Sequence, residues 1–185
     1  MVQKLDHLRE TPSQTAGPYV HIGCTPNFAG IQGVFDDLGA DPFPGEGDRI
    51  TITGRVIDGF GTPIKDPMIE TWQAGAGGTY GPGTRGWARI VTDPETGEWS
   101  LNTVKPGAAD GQAPHIAVWI VARGINLGLN TRIYFPEDDH SADPLLSRVE
   151  HRHRAETLIA KATGPSAYAI DFVLQGANET LFLDI

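Results

Sequence analysis

From Ile50 onward the chain is a succession of short apolar runs, each closed within a few residues by glycine, proline, aspartate or asparagine. Such punctuation favours many turns and short strands over a helical bundle. The first run is the clearest. Ile50, Ile52 and Val56 alternate with Thr51, Thr53 and Arg55, the period-two signature of a half-buried strand, and Asp58-Gly59-Phe60-Gly61 follows as turn chemistry. Further strands are predicted over Met68–Trp72, Ala88–Thr92, Trp99–Val104, His115–Arg123, Thr131–Phe135, Tyr168–Leu174 and Thr180–Leu183. The 23 glycines and 14 prolines in 185 residues fit that reading. The expected fold is all-β, a sandwich or barrel. One short helix is predicted from Pro144 to about Arg152, with Asp143 as N-cap and proline at the first helical position.

The segment before the strands behaves differently. Residues 1–48 are read as an N-terminal arm and 49–185 as one β domain. Pro12, Pro18, Pro26, Pro42 and Pro44 break the arm, and its pattern supports neither strand nor helix. Yet it carries Tyr19, Val20, Ile22, Phe28, Ile31, Val34 and Phe35, more apolar surface than a solvated tail holds. The arm is therefore expected to pack on its own domain or on a partner chain.

Charge narrows the partners. A net charge of −9 argues against nucleic acid and against anionic membranes, both of which need a basic surface. No run has the unbroken apolar length of a membrane span, and the N-terminus lacks the layout of a signal peptide. Cys24 is the single cysteine and cannot form an internal disulfide. A cytoplasmic protein is expected.

Pro114–Arg123 is the longest strand candidate. Ile116, Val118, Ile120 and Ala122 line one face, and His115, Ala117, Trp119, Val121 and Arg123 the other, so a central strand with Arg123 at its end is predicted. His115 and Arg123 could contribute to a site, but on the residues alone the favoured reading is a hydrogen-bonded core histidine and a strand-end ion pair. His151 and His153 would point apart at a helix end, and Arg152 and Arg154 beside them repel a cation, so no metal site is expected there. His7, His21 and His140 are read as surface or arm residues. The glycines of Gly75-Ala76-Gly77-Gly78 lack the lysine and hydroxyl of a phosphate loop. No nucleophile elbow is present, and a solvated acidic surface accounts for the carboxylates. On residue chemistry alone the chain is an acidic β-rich domain.

Several segments, in order, carry more: TPSQTAGPYVHIG (Thr11–Gly23), ETWQAGAGGTYG (Glu70–Gly81), TVKPG (Thr103–Gly107), APHI (Ala113–Ile116), ARGIN (Ala122–Asn126) followed by TRIYFPEDD, and ETLIAK (Glu156–Lys161). Together they resemble the intradiol ring-cleaving dioxygenases, and within them the α chain of members built from two related chains. The resemblance implies a β-sandwich whose catalytic chains hold iron(III) with two tyrosines and two histidines, a ligand set of hard phenolates and imidazoles suited to that ion. It marks Tyr80, Ala109, His115 and Ala117 as the four ligand positions here. Alanine stands at two of them, and Gln112 replaces an arginine that steadies the substrate in catalytic chains.

The resemblance thus implies a vestigial site that binds no metal, with Fe(3+) held by a β chain. Tyr80 and His115 are left to hydrogen-bond nearby. It also implies a small aromatic substrate and O2 at the α/β interface, a higher-order assembly of αβ units, and a site wall to which this chain gives Thr15, Gly17, Pro18 and Arg123. A self-sufficient catechol-type enzyme would need its own four ligands. A non-enzymatic sandwich module would leave Thr15 and Arg123 without a role.

Overall fold

The computed structural model describes residues 14–17, 19–34, 41–44, 47–82 and 85–184. Pro18 and Phe35, singled out above, lie outside them, as does His7. A short helix α1 (Tyr19–Cys24) precedes β1 (Arg49–Ile57), β2 (Met68–Gln73), β3 (Trp87–Val91), β4 (Glu98–Val104), β5 (His115–Val121) and β6 (Leu129–Tyr134). Helix α2 (Arg152–Ala155) and strands β7 (Lys161–Gly164), β8 (Ala167–Ala169) and β9 (Phe172–Val173) complete the order.

The strands form two sheets. One runs β4-β1-β8-β7, with β9 also on β1; the other runs β3-β2-β5-β6 and is antiparallel throughout. Ile50, Ile52, Val56, Trp99, Leu101, Tyr168 and Phe172 of the first sheet meet Ile69, Ile90, Ile116, Val118, Ile120 and Ile133 of the second in one buried core. Their removal from water, at about 25 cal/mol per Å² of apolar area, is the main drive for closing the sandwich.

Strand β1 organises its sheet because its second edge serves two short strands in turn. It pairs in parallel with β8 and then with β9. Between them Ile170 N–H donates to the Thr53 carbonyl at 2.9 Å, and the Asp171 carboxylate accepts the Arg55 N–H at 2.9 Å. At this crossing a Cβ on Gly54 would lie 1.7 Å from the Ile170 carbonyl oxygen, so only glycine permits the approach.

Several expectations are corrected. Tyr168–Leu174 is not one strand but two, broken at that crossing. Thr180–Leu183 is no strand; Leu183 makes a single bridge to Asn130. Strand β5 ends at Val121, because Ile125 N–H turns back onto the Ala122 carbonyl at 3.1 Å and Gly124 takes φ +88°. The predicted helix over 144–152 is a 3-10 turn, Leu146–Arg148, and then the separate α2. Val149 and His151 are extended between them. The Asp143 cap does form: its carboxylate accepts the N–H groups of Leu145 at 2.9 Å and Leu146 at 3.0 Å. It is also 1% exposed and accepts the Ala113 N–H at 2.9 Å, so this carboxylate belongs to no solvated surface. The arm contains α1 where no helix was expected, and β7, exposed at every residue, offered no apolar period to read. Among the described residues no helix is long and apolar enough to cross a membrane.

Candidate functional site

The outward face of the β3-β2-β5-β6 sheet gathers the polar chemistry. Strand register places Trp72 opposite Ala117, Ala117 opposite Arg132, and His115 opposite Tyr134. Tyr80 lies on the same side: its ring stacks on Trp72 with centroids 5.9 Å apart and planes 3° apart. Ala109 forms a bridge with Gln112, whose side chain accepts a hydrogen bond from Arg132 at 2.6 Å. The four positions marked by the resemblance are thus linked in one neighbourhood, through Trp72 on one side and Arg132 on the other.

Glycines make this convergence possible. The loops that carry Tyr80 and Ala109 meet backbone to backbone, with Gly107 N–H donating to the Gly75 carbonyl at 3.0 Å. Gly78 has φ +73°, and a Cβ on it would lie 2.0 Å from the Ala108 carbonyl oxygen. The buried Gln73 side chain ties the same corner together, donating to the Val104 carbonyl and accepting from Thr103 Oγ1, each at 2.9 Å.

As a metal site the arrangement is deficient. Methyl groups at Ala109 and Ala117 donate no lone pair, so at most a phenol and an imidazole remain. His115 is 6% exposed, and its Nδ1 lies 2.9 Å from the Ala113 carbonyl oxygen. Burial, reinforced by the Arg132 charge, holds its pKa below the ordinary 6.5. Arg132 is a permanent cation in the row facing Ala117, and it donates to the Tyr134 hydroxyl at 3.1 Å. Burial pushes the Tyr134 phenol up to about 12 against the pull of Arg132. Tyr80, expected to find a hydrogen bond, instead has its ring stacked and its side half-open to solvent.

Residues of the predicted wall meet at the opposite end of β5. Thr15 Oγ1 accepts the Gly124 N–H at 2.8 Å and reaches the Ala122 carbonyl at 3.4 Å, holding the backbone on either side of Arg123. Gly17 starts the turn into α1, its carbonyl accepting the Val20 N–H at 3.0 Å. Arg123 is not at the end of a buried strand, as its face assignment predicted. It lies beyond β5 in the turn, with its side chain 69% exposed. The Asp66 carboxylate accepts from its Nε at 2.9 Å and from an Nη nitrogen. Asp66 in turn offers its carbonyl to His21 Nε2 at 3.1 Å, and Arg89, paired with Glu70, donates to the Cys24 carbonyl at 3.0 Å. These bonds lay the described part of the arm along the sheet. Sequence reasoning missed Asp66 and Arg132; the latter shares the alternation of Asn130 and Tyr134, which placed it beside Ala117.

Three further histidines among the described residues depart from expectation. His140 is not a free surface residue; its ring meets the edge of Tyr134 at 5.5 Å. His151 and His153 do not point apart, since their ring centroids lie 5.8 Å from each other. Among the described residues no three His, Cys, Asp or Glu side chains gather as a metal cluster.

Comparison with known proteins places this arrangement. A family model described as "Dioxygenase" matches residues 36–176. The chain is 41% identical to the protocatechuate 3,4-dioxygenase alpha chain of Pseudomonas putida, over 97% of this chain and 98% of the other. It is 32% identical to the beta chain of the same enzyme from Burkholderia cepacia, covering 72% of this chain and 67% of that one. Among solved structures it resembles the dioxygenase domain of a dioxygenase–carbohydrate-binding protein fusion from Streptomyces sp. SirexAA-E. That match has a TM-score of 0.60 and 25% identity, over 91% of this chain and all of the other. The chain belongs to the intradiol dioxygenase family.

Proposed function

We propose that the chain is the iron-free α subunit of a protocatechuate 3,4-dioxygenase, completing an active site whose iron is held by a β chain. The reaction would cleave the ring of 3,4-dihydroxybenzoate with O2 between the two hydroxylated carbons, giving 3-carboxy-cis,cis-muconate in the breakdown of aromatic compounds. The observation that carries the reading is the 41% identity along nearly the whole length of an α chain, combined with alanine at Ala109 and Ala117.

The family depends on iron, which supplies a Lewis acid that binds the catechol and prepares its ring for oxygen. This chain's donor set does not fit that ion, so its own contribution is binding and positioning. Thr15 and Gly17 would set a close-fitting wall; Pro18, which the resemblance adds to it, lies outside the described residues. Arg123 would hold the substrate carboxylate. Its guanidinium already has one carboxylate in Asp66, which orients the fork and leaves Nη1 unengaged among the described residues. The arm keeps Tyr19, Ile22, Phe28, Ile31 and Val34 exposed, an apolar surface suited to burial against the β chain and to assembly of further αβ units.

The test is metal analysis and visible absorption of the chain alone and after reconstitution with a β chain, together with oxygen uptake on protocatechuate. The reading expects an iron-free, colourless and inactive chain alone, and a coloured, active complex. A coloured chain that turns over substrate by itself overturns it.

A further inference from the structure

A cavity lies beside the ligand positions that the resemblance marks. It has a volume of about 670 Å³ and opens between the 144–151 segment and the C-terminal residues 181–184. Leu145, Val149, Leu181 and Leu183 give it apolar walls, while Gln112 and Arg132 stand at its inner end. The charge there is unusual. Arg132 bonds only to neutral groups, the Gln112 amide oxygen at 2.6 Å and the Tyr134 hydroxyl at 3.1 Å. Its Nε is buried with no partner, and no carboxylate lies within ion-pair distance of it among the described residues.

Asp143 keeps its charge but reaches Arg132 only through a hydroxyl. It accepts from Tyr134 Oη at 3.4 Å, the same hydroxyl that accepts from Arg132 at 3.1 Å, and its two oxygens also accept three backbone N–H groups. Gln112 orients the guanidinium from one side without cancelling its charge. Glu150 and Asp184 are at the exposed rim together with Arg148 and His151, where water and salt screen all four. A half-buried guanidinium with no direct ion pair, lining an apolar cleft, is a receptor for a flat anion: the cation takes the carboxylate and the leucine walls take the body.

We infer that this cavity is a metal-free binding site for a small aromatic carboxylate, separate from the wall formed by Thr15 and Arg123. It needs no β chain and no iron, so it stands or falls independently of the proposed catalytic role. Occupancy would add affinity for acids of the substrate's class at a place where no ring cleavage can occur.

The experiment follows the fluorine resonance of 4-fluorobenzoate, and of the neutral 4-fluorobenzamide, during titration with the full chain. Saturable binding of the acid is expected, with the amide at least about tenfold weaker, because a charged hydrogen bond is lost. Arg132→Met should weaken the acid by about tenfold or more on the same basis. Val149→Trp, which fills the mouth and leaves the strand face intact, should remove binding even if Arg132→Met does not fold. Equal affinity for acid and amide overturns the inference, as does no saturable binding, or binding that survives Val149→Trp.

Discussion

The Thr15 hydroxyl accepts the Gly124 amide at 2.8 Å, 109 residues along the chain, and thereby fixes the backbone next to Arg123. The same turn is held from the other side by Asp66, which receives the Arg123 guanidinium and whose carbonyl meets His21. Arm and turn are one unit: Thr15 lies before α1, His21 within it, and both close on the two residues that position Arg123.

Replacing Thr15 with valine keeps the shape and removes both bonds. Each is exposed or half-buried, so the loss of stability should be small, about 1 kcal/mol. The larger effect should fall on substrate: KM for protocatechuate in the reconstituted complex is expected to rise several-fold with iron content unchanged. Thr15→Ser should recover most of the loss. Recovery absent in the serine variant would mean the methyl contact, not the hydroxyl, sets the turn.

Restoring ligands at Ala109 and Ala117 tests the proposal that this chain holds no iron of its own. Ala109→Tyr with Ala117→His rebuilds the donor types, yet Arg132 still projects from the strand position facing residue 117. Iron(III) and a guanidinium repel each other, so the double variant should remain far below stoichiometric iron. Adding Arg132→Gln should raise the iron content and bring up a tyrosinate-to-iron absorption band. Full loading of the double variant would show that Arg132 is no obstacle.

His115 makes stability depend on pH with a definite sign. Burial first, and the Arg132 charge, lower its folded pKa below 6.5, while the Ala113 carbonyl and Asp143 oppose them. The folded state keeps His115 neutral while the unfolded chain takes up its proton as pH falls through 6.5. Stability from this group is therefore complete above that value and declines below it, down to the folded pKa, by at most about 1.4 kcal/mol per pH unit. Urea unfolding at pH 7.5 and 5.5 should show a steeper loss for the wild type than for His115→Gln, which cannot titrate. Parallel losses would assign the pH dependence to other groups.

How much of this was legible differs by element. Strands β1 to β6 announced themselves because each alternates against a single core, as Ile50, Ile52 and Val56 do. The split of β8 from β9 was not legible, since it depends on the Ile170 carbonyl meeting Gly54 across 116 positions. Of the site, Ala109 and Ala117 stood out only through the family resemblance, which marks them as ligand positions. The tether of Thr15 to Gly124 and the pairing of Asp66 with Arg123 could not be read. Both join segments far apart in sequence through side chains that carry no periodicity. Asp143 was legible as a cap but not as a buried anchor for Ala113, because local capping rules say nothing of a third, distant donor.

If Arg123 faces the substrate as proposed, the wall discriminates between substrates. Protocatechuate differs from catechol by a carboxylate, and a guanidinium with one edge on Asp66 can offer the other to that group. A charged hydrogen bond is worth roughly 1.5–3 kcal/mol, so Arg123→Met in the reconstituted complex should raise KM for protocatechuate about ten- to a hundredfold. Catechol, which lacks the carboxylate, should not share the loss. Arg123→Lys should recover only part of it, because an ammonium cannot serve Asp66 and substrate with one rigid fork. Asp66→Asn separates orientation from charge. It leaves the cation in place but loosens its aim, so KM for protocatechuate should rise by a smaller factor than in Arg123→Met and become more sensitive to salt. An equal loss on both substrates would instead assign Arg123 to holding the interface, and no loss on either would remove it from the site. A fall in KM for Asp66→Asn would mean that Asp66 repels the substrate carboxylate more than it orients Arg123.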